Sequence, residues 1–224
     1  MKTLSFHPKI GTCELTNPQF LTFVIENKNF YWRFCDYLYN GFPEHIGYCS
    51  LDVDGKAAPI DDASLFVANP WDLDINSKSN LNALYKLLKK SYFHELGEAV
   101  DQIQKELTKI CQEIKLDFDG DLSIQDSIRV DDVFKLGGLQ FAEGDGTFLE
   151  RFTRYITISK ELRGVCLVFV NHIRDFLSEE ELESFLKELQ YRGVSLINIE
   201  TSAPTHTFPD EKVLIIDSDL CPLS

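Results

Sequence analysis

The sequence lacks the marks of several protein classes. Its longest apolar stretches, such as Val165 to Val170, are far shorter than the roughly 18 residues that cross a bilayer. The N-terminal segment reaches Pro8 without the apolar core of a signal peptide. Its six cysteines are scattered, with no C-x-x-C pair and no cysteine and histidine spacing typical of zinc sites. We therefore expect a cytoplasmic protein with reduced cysteines and no membrane partner.

The motifs of common nucleotide-dependent and hydrolytic enzymes are also missing. There is no G-x-x-x-x-G-K-[ST] phosphate loop, and Gly137-Gly138 and Gly144-Asp145-Gly146 do not follow predicted buried strands. There is no G-x-S-x-G nucleophile elbow, and the histidines share no triad or metal-ligand spacing. His172 follows a predicted strand, where α/β sheets often bind ligands, although a structural, hydrogen-bonded histidine is the alternative. We expect a protein that binds and assembles rather than catalyses.

Acidic residues outnumber basic residues. Lysine and arginine total 22 against 36 aspartates and glutamates, which gives a formal net charge of −14. Contacts to nucleic-acid phosphates require clustered lysine and arginine, so this balance argues against binding through a generally basic surface. A local basic face remains compatible with it.

Hydrophobic spacing predicts an α/β fold with a partly parallel sheet. The clearest unit is a strand at residues 165–170, a helix at 178–190 and a strand at 194–200, with Ser178 and Glu181 forming a capping box. A helix that connects two strands in this way makes the pair parallel. Further strands and a hairpin are predicted at residues 4–7, 20–26, 47–55, 64–68 and 213–217.

A long helical segment interrupts the strands. Residues 77–115 contain no proline, and their large aliphatic residues recur at steps of three or four, with a break expected near Gly97. The second half has the alternating steps of a coiled-coil seam, and its expected partner is a helix at residues 148–162. The expected domains are an α/β head at residues 1–75 and 163–224, and a helical leg with an acidic loop at residues 76–162.

Three aspartates alternate directly after the long helix. Asp117, Asp119 and Asp121 repel one another in a folded state unless a cation or a basic partner neutralises them. A hard cation needs several carboxylate oxygens, which this spacing supplies. The loop is not an EF-hand, because the required glycine position is Leu122 and the bidentate acid position is Ile128. A solvated loop is the alternative.

An enzymatic alternative also stays open. The string Asp117-Phe118-Asp119-Gly120, with the later Gly144-Asp145-Gly146, resembles the first and last motifs of haloacid-dehalogenase-type phosphatases. In that family the first aspartate is the nucleophile and the second is a general acid beside magnesium. This alternative is a magnesium-dependent phosphatase that uses Asp117 and Asp119.

Seven strings resemble, in their joint order, those of one family. They are LFVAN (65–69), DINS (74–77), LDFDGD (116–121), VFKLG (133–137), TFLERF (147–152), LVFVN (167–171) and FLSEEE (176–181). The family is the short-form, ring-forming DNA-end-binding accessory protein of type II-A CRISPR adaptation, and the resemblance covers most of the chain. It implies an α/β head akin to ABC-type ATPase heads without nucleotide chemistry, a helical leg, and a homotetrameric ring.

The resemblance implies a calcium site. Proteins of this family bind Ca²⁺ at alternating acids, and Asp117, Asp119 and Asp121 match the family's D-x-[DE]-x-D pattern. Asp132 matches a further acid in the next helix, and we add Asp126 because it is close in sequence. Each bound calcium ion would cancel two negative charges locally, which would lessen the conflict between an acidic protein and DNA.

The resemblance also implies a role and partners. Family members thread onto double-stranded DNA ends through a positive central hole, without catalysis, and support the acquisition of new spacers. Lys135 and Arg151 fall where the family places inward-facing basic residues, and Arg154 and Lys160 are neighbours that we add. The implied partners are double-stranded DNA ends, further copies of the chain, the adaptation integrase and the effector nuclease.

Overall fold

A computed structural model describes most of the chain. The described residues are 2–6, 12–15, 19–41, 48–53, 55–69, 71, 73–118, 120–123 and 129–223. They form two compact units, which we name the head unit (Met1–Ile75 with Gly144–Ser224) and the helical unit (Asn76–Glu143). No described helix is both long enough and apolar enough to cross a membrane.

The head unit is built on a six-stranded sheet. From one edge to the other its strands are β10 (Pro222–Leu223), β9 (Glu211–Ile216), β3 (Phe20–Ile25), β8 (Ser195–Glu200), β7 (Leu167–Asn171) and β6 (Ser64–Val67). All neighbours are parallel except β10 and β9. Every residue of β3 and β8 is buried, as expected of strands that are covered on both faces. The predicted α/β class with a partly parallel sheet is confirmed.

A second, antiparallel sheet lies in the same unit. Its strand order is β2 (Thr12–Leu15), β1 (Lys2–Phe6), β4 (Cys49–Val53) and β5 (Lys56–Ala58). The hairpin between β4 and β5 pairs Val53 with Lys56. Gly55 in its turn has a φ of 76°, a left-handed conformation that glycine adopts without strain. The hairpin therefore forms where the sequence predicted one.

Helices cover the two faces of the large sheet. Helix α1 (Lys28–Tyr39) begins at Asn27, whose side chain accepts a hydrogen bond from the N–H of Phe30 at 3.0 Å. Residues of α1 and of the small sheet share one apolar core with alternate residues of β3, β7 and β8. Residues of α6 (Phe148–Arg163) and α7 (Glu179–Tyr191) share the other core with the opposite face. A short helix, α2 (Ile60–Ala63), precedes β6.

Helix α6 differs from its sequence prediction. It was expected in the helical leg as the packing partner of the long helix, but it belongs to the head unit. Its Phe152 and Ile156 are completely buried, and the ring of Phe152 lies 4.9 Å from that of Phe185 on α7. The boundary between the units is therefore placed at residue 143 rather than 162. Periodicity showed that this helix has a buried face but could not show what covers it.

The helical unit contains α3 (Lys78–Ser91), α4 (Phe93–Asp117) and α5 (Val130–Leu136). The long segment breaks at Tyr92 and not near Gly97, which lies inside α4. The hydroxyl of Tyr85 donates to the carbonyl of Leu139 at 2.8 Å, which ties α3 to the segment after α5. The Tyr85 ring also packs against the Phe134 ring of α5, with the ring centroids 5.4 Å apart. These two contacts determine which side of α3 faces the interior of the helical unit.

A buried ion pair joins the turn after β7 to the start of β9. Arg174 donates to both oxygens of Glu211 at 2.8 Å, and the Glu211 side chain is completely buried. The N–H of Phe208, at 2.9 Å, and the hydroxyl of Thr22 also donate to this carboxylate. The guanidinium carbon of Arg174 lies 5.8 Å from the Phe20 ring and 5.3 Å from the Phe208 ring. The carboxylate is therefore fully hydrogen-bonded in apolar surroundings.

The placement of α6 in the head unit predicts a large effect of Phe152→Ala. Removing this buried ring is expected to lower the free energy of unfolding by about 3–5 kcal/mol, measured by chemical denaturation. Tyr39→Ala, at a side chain that is 75% exposed on α1, is the control and should change it by no more than about 0.5 kcal/mol. Equal, small effects of the two substitutions would contradict the burial of α6.

Candidate functional site

The acidic loop begins at the C-terminal end of α4. Asp117 is the last residue of this helix, and its side chain is exposed. The N–H of Phe118 donates to the carbonyl of Ile114 at 3.0 Å and closes the helix. Asp121, in the chain that follows, is exposed as well. A helix C-terminus carries partial negative charge, so a carboxylate there is unfavourable and a bound cation is favourable.

Two further aspartates lie at the start of α5. Asp132 accepts hydrogen bonds from the N–H of Arg129 at 3.2 Å and from the Lys135 ammonium at 3.5 Å. Asp131 forms an ion pair with the Arg129 guanidinium at 2.9 Å. The other oxygen of Asp131, Oδ1, is buried and has no hydrogen-bond partner among the described residues. Both oxygens of Asp132 thus have donors, whereas Asp131 offers one unused acceptor.

The described residues include only part of the expected calcium site. Asp119 and Asp126 lie outside them. Within the described residues no group of three or more histidine, cysteine, aspartate or glutamate side chains could hold a metal ion together. The available donors are carboxylate oxygens, the type that Ca²⁺ prefers. The donor chemistry fits calcium, and the ligand set stays a prediction for Asp117, Asp119, Asp121, Asp126 and Asp132.

The basic residues expected to face DNA lie in both units. Lys135 is in the last turn of α5 in the helical unit, where it contacts Asp132. Arg151, Arg154 and Lys160 lie on α6 in the head unit. At 100° per residue, Arg151 and Arg154 share a side of the helix, and Lys160 lies roughly 180° from Arg151. The three residues therefore do not form one row on α6.

The connection between β3 and α1 is too short for a phosphate loop. It consists of Glu26 and Asn27. The N–H of Glu26 donates to the carbonyl of Ile216 at 2.9 Å, and the N–H of Phe30 is capped by the Asn27 side chain. A phosphate loop needs free backbone N–H groups in a glycine-rich turn at such a position. The described head unit has no such turn between β3 and α1.

The position of Asp117 argues against the phosphatase alternative. In haloacid-dehalogenase-type enzymes the nucleophilic aspartate would follow a buried strand. Here Asp117 ends a helix, in a unit whose described residues contain no strand. The phosphatase hypothesis is therefore not supported by the fold around this residue.

A hydrogen-bonded network lies at the carboxyl ends of β7 and β8. His172 follows β7, and its Nδ1 lies 2.7 Å from the Glu200 carboxylate at the end of β8. Its Nε2 lies 2.9 Å from the hydroxyl of Tyr31 on α1. The Asn198 amide donates to the other Glu200 oxygen at 2.8 Å and accepts from the N–H of Ile173 at 3.1 Å. His172 is therefore a hydrogen-bonded residue, in agreement with the structural alternative.

The protonation states in this network limit its chemistry. Burial raises the pKa of the Tyr31 hydroxyl, and burial raises the pKa of the nearby Cys35 thiol to about 11. Both groups therefore keep their protons at neutral pH, and neither is an activated nucleophile. The hydrogen bond to Glu200 raises the pKa of His172, which burial opposes.

Sequence reasoning found His172 but not its partners. Tyr31 precedes His172 by 141 residues and Glu200 follows it by 28. No local motif links positions at such distances. Only the parallel pairing of β7 with β8, which aligns Asn171 with Ile199, brings the two strand ends together. One sequence signal could have indicated this network. Polar residues lie at or just after the carboxyl ends of two strands that were predicted to be parallel, and these ends meet at one edge of the sheet.

Comparisons with known proteins place these features in context. A family model described as CRISPR-associated protein (Cas_Csn2) matches residues 24–220, which include parts of both units and all nine expected site residues. Among solved structures, a putative ABC transporter ATP-binding protein from Pyrococcus furiosus is 11% identical, with 95% of this chain and 97% of that chain covered. Its TM-score of 0.39 is too low to support an argument about fold or function. No curated protein matches the sequence.

The His172–Glu200 contact predicts a pH-dependent stability. Because the pKa of His172 is raised in the folded state, its stabilisation is fully present below the unfolded pKa, about 6.5, and is lost as pH rises through the folded pKa. Glu200→Gln should therefore destabilise the protein more in acidic than in alkaline buffer, as measured by denaturation across this range. Glu183→Gln, at an exposed side chain of α7, is the control and should show no such difference. A lower pKa of His172 in Glu200→Gln, measured by NMR, completes the test.

Proposed function

Because the chain belongs to the Cas_Csn2 family of CRISPR-associated proteins, which serves type II-A systems, we propose that it is a non-catalytic, calcium-stabilised ring that binds double-stranded DNA ends and supports spacer acquisition. The observation that carries this proposal is the family match across residues 24–220, which include most of the head unit and the whole helical unit. The contacts described above support its separate parts.

The head unit supports a role without nucleotide hydrolysis. The two-residue connection between β3 and α1 leaves no phosphate loop at that position, and the N–H of Glu26 is already bonded to Ile216. On α1, burial raises the pKa of Tyr31 and of Cys35, so both groups keep their protons at neutral pH. The head unit is thus suited to assembly and binding.

Helix α4 supports the assembly of several copies. Ile110 and Ile114 lie one turn apart on this helix, and their side chains are 50% and 55% exposed. Large aliphatic side chains exposed at coiled-coil spacing favour packing against another helix. Helix α6, the partner expected from the sequence, is used in the core of the head unit. A second copy of the chain is the occupant that we propose, within a homotetramer.

The calcium part of the proposal is supported by the acidic loop. The exposed Asp117 ends α4 at the negative end of its dipole, Asp121 in the chain that follows is also exposed, and the Oδ1 atom of Asp131 is buried with no donor among the described residues. Bound calcium would neutralise these carboxylates and hold the end of α4 to the loop that follows. It would also lower the repulsion between this loop and DNA phosphates.

For DNA itself we propose contacts from Lys135, Arg151, Arg154 and Lys160, because a chain with a net charge of −14 must bind phosphates through local basic groups. Such contacts do not read the base sequence, which suits a protein that accepts any DNA end. The adaptation integrase and the effector nuclease are the proposed protein partners.

Calcium dependence is the first test of this function. Wild-type protein should bind linear duplex DNA in a gel-shift assay with Ca²⁺, and should lose most of this binding in a chelator or on circular DNA of equal length. Asp117→Asn with Asp121→Asn should weaken calcium binding by roughly tenfold or more, measured by calorimetry, because two ligand charges are removed. Asp145→Asn with Asp210→Asn, also exposed, is the charge-matched control and should bind calcium normally. Absence of binding to linear ends in the presence of calcium would refute the proposal.

The assembly is tested by mass. Wild-type protein should have about four times the 25.7 kDa mass of one chain in light scattering. Ile114→Glu places a charge in the exposed apolar stripe of α4 and should give smaller species. Gln112→Glu adds the same charge on the opposite side of the helix and should leave the tetramer intact. Tetramers in both variants would exclude this stripe as an interface.

A further inference from the structure

Helix α3 has a charge pattern unlike that of the rest of the chain. It carries Lys78, Lys86, Lys89 and Lys90, and residues 75–94 include no aspartate or glutamate. The chain as a whole has 36 acidic residues in 224, so a run of this length would ordinarily contain several. The local charge of α3 is thus positive in an acidic protein.

The four lysines share one side of the helix. At 100° per residue they fall within an arc of roughly 120°, which also holds the polar Ser79 and Asn82. The buried Tyr85 projects roughly 20° outside this arc, next to Lys78, and the buried Asn80 lies roughly 80° beyond Lys90, so the arc borders the side of α3 that faces the interior of the helical unit. Lys78, Lys86 and Lys90 are exposed, and Lys89 is partly exposed. We call this side the α3 basic face.

No described residue forms a salt bridge with any of these four lysines. Near the C-terminal end of α7, by contrast, Lys187 pairs with Glu183 at 2.7 Å and Arg192 with Glu188 at 2.6 Å. The lysines at residues 105, 109 and 115 of α4 also form no described salt bridge, but acidic residues are interspersed with them along that helix. On α3 the neighbours one turn from Lys86 are Lys89 and Lys90, and like charges at these spacings repel. The helix dipole favours lysines in the last turn but gives no reason for Lys78 in the first.

We propose that the α3 basic face binds the phosphate backbone of double-stranded DNA. This inference rests on the proposed function and adds a contact surface distinct from Lys135 and the α6 residues. From Lys78 to Lys90 the face extends roughly 18 Å along the helix, comparable to the rise of about five phosphates on one DNA strand. Lysine ammoniums bind phosphates as point charges, so the contact is independent of sequence.

An anionic membrane is the competing polyanion, and the face does not favour it. A helix that binds a membrane surface presents large apolar residues between its cationic ones. The arc of the α3 basic face holds Ser79 and Asn82 instead, and the exposed Leu87 lies outside it. DNA is therefore the occupant that these residues fit.

The test compares two charge-matched triple variants of the full-length protein in the presence of calcium. Lys86→Gln, Lys89→Gln and Lys90→Gln together should lower affinity for linear duplex DNA by roughly ten- to a hundredfold near 0.1 M salt, and should reduce the slope of log K against log salt by roughly 2 to 3. Lys105→Gln, Lys109→Gln and Lys115→Gln on α4, where acidic residues are interspersed, remove the same charge and should have much smaller effects. Light scattering confirms the assembly of each variant.

A third variant, Lys86→Arg with Lys89→Arg and Lys90→Arg, keeps the charge and should retain wild-type binding and the wild-type salt slope. Loss in the α3 glutamine variant but not in the α4 variant supports the inference, even if wild-type protein shows no preference for ends and the proposed function fails. Wild-type binding to ends that is unchanged in the α3 glutamine variant overturns the inference and leaves the proposed function intact. Equal losses of DNA affinity in both glutamine variants also overturn the inference. The same holds if the α3 glutamine variant binds DNA normally but loses binding to phosphatidylserine vesicles.

Discussion

Burial of both faces of β3 and β8 is the constraint on which the rest of the head unit depends. Every residue of these strands is buried, so each face of the sheet needs an apolar cover. Helix α1 and the small sheet supply one cover, and α6 and α7 supply the other. Helix α6, which the sequence analysis expected in the helical leg, is thus part of the core of the head unit.

The sequence predicted most elements because their signals are local. Ser178 marks the beginning of α7 through a side chain that accepts a hydrogen bond from the N–H of Glu181, and the βαβ pattern predicted parallel pairing. The break in the long helical segment was misplaced, because Gly97 is a weak helix former that an interior position tolerates. The chain breaks at Tyr92, whose backbone leaves helical geometry for reasons that no local motif displays.

The same distinction between local signals and distant contacts applies to the candidate site. Charge patterns can be read from sequence, so the acidic loop was found, and the α3 basic face could have been found by combining lysine positions with helical periodicity. Contacts between segments that are distant in sequence could not be predicted in this way. The hydrogen-bond partners of His172, which are Tyr31 and Glu200, became apparent only from the structure. Likewise, nothing in the sequence showed that Asp132 bonds the N–H of Arg129 at the start of α5.

The Arg174–Glu211 pair has a consequence for how the head unit comes apart. Strand β9 lies near the sheet edge, where strands usually open first and exchange their amide protons early. If the start of β9 opened, the Glu211 carboxylate would lose four hydrogen bonds. The charged guanidinium of Arg174 would then lie without its partner near the rings of Phe20 and Phe208. Leaving one buried charge without its partner is strongly unfavourable. The pair thereby ties the start of β9 to the turn after β7 and opposes local fraying at this edge of the sheet.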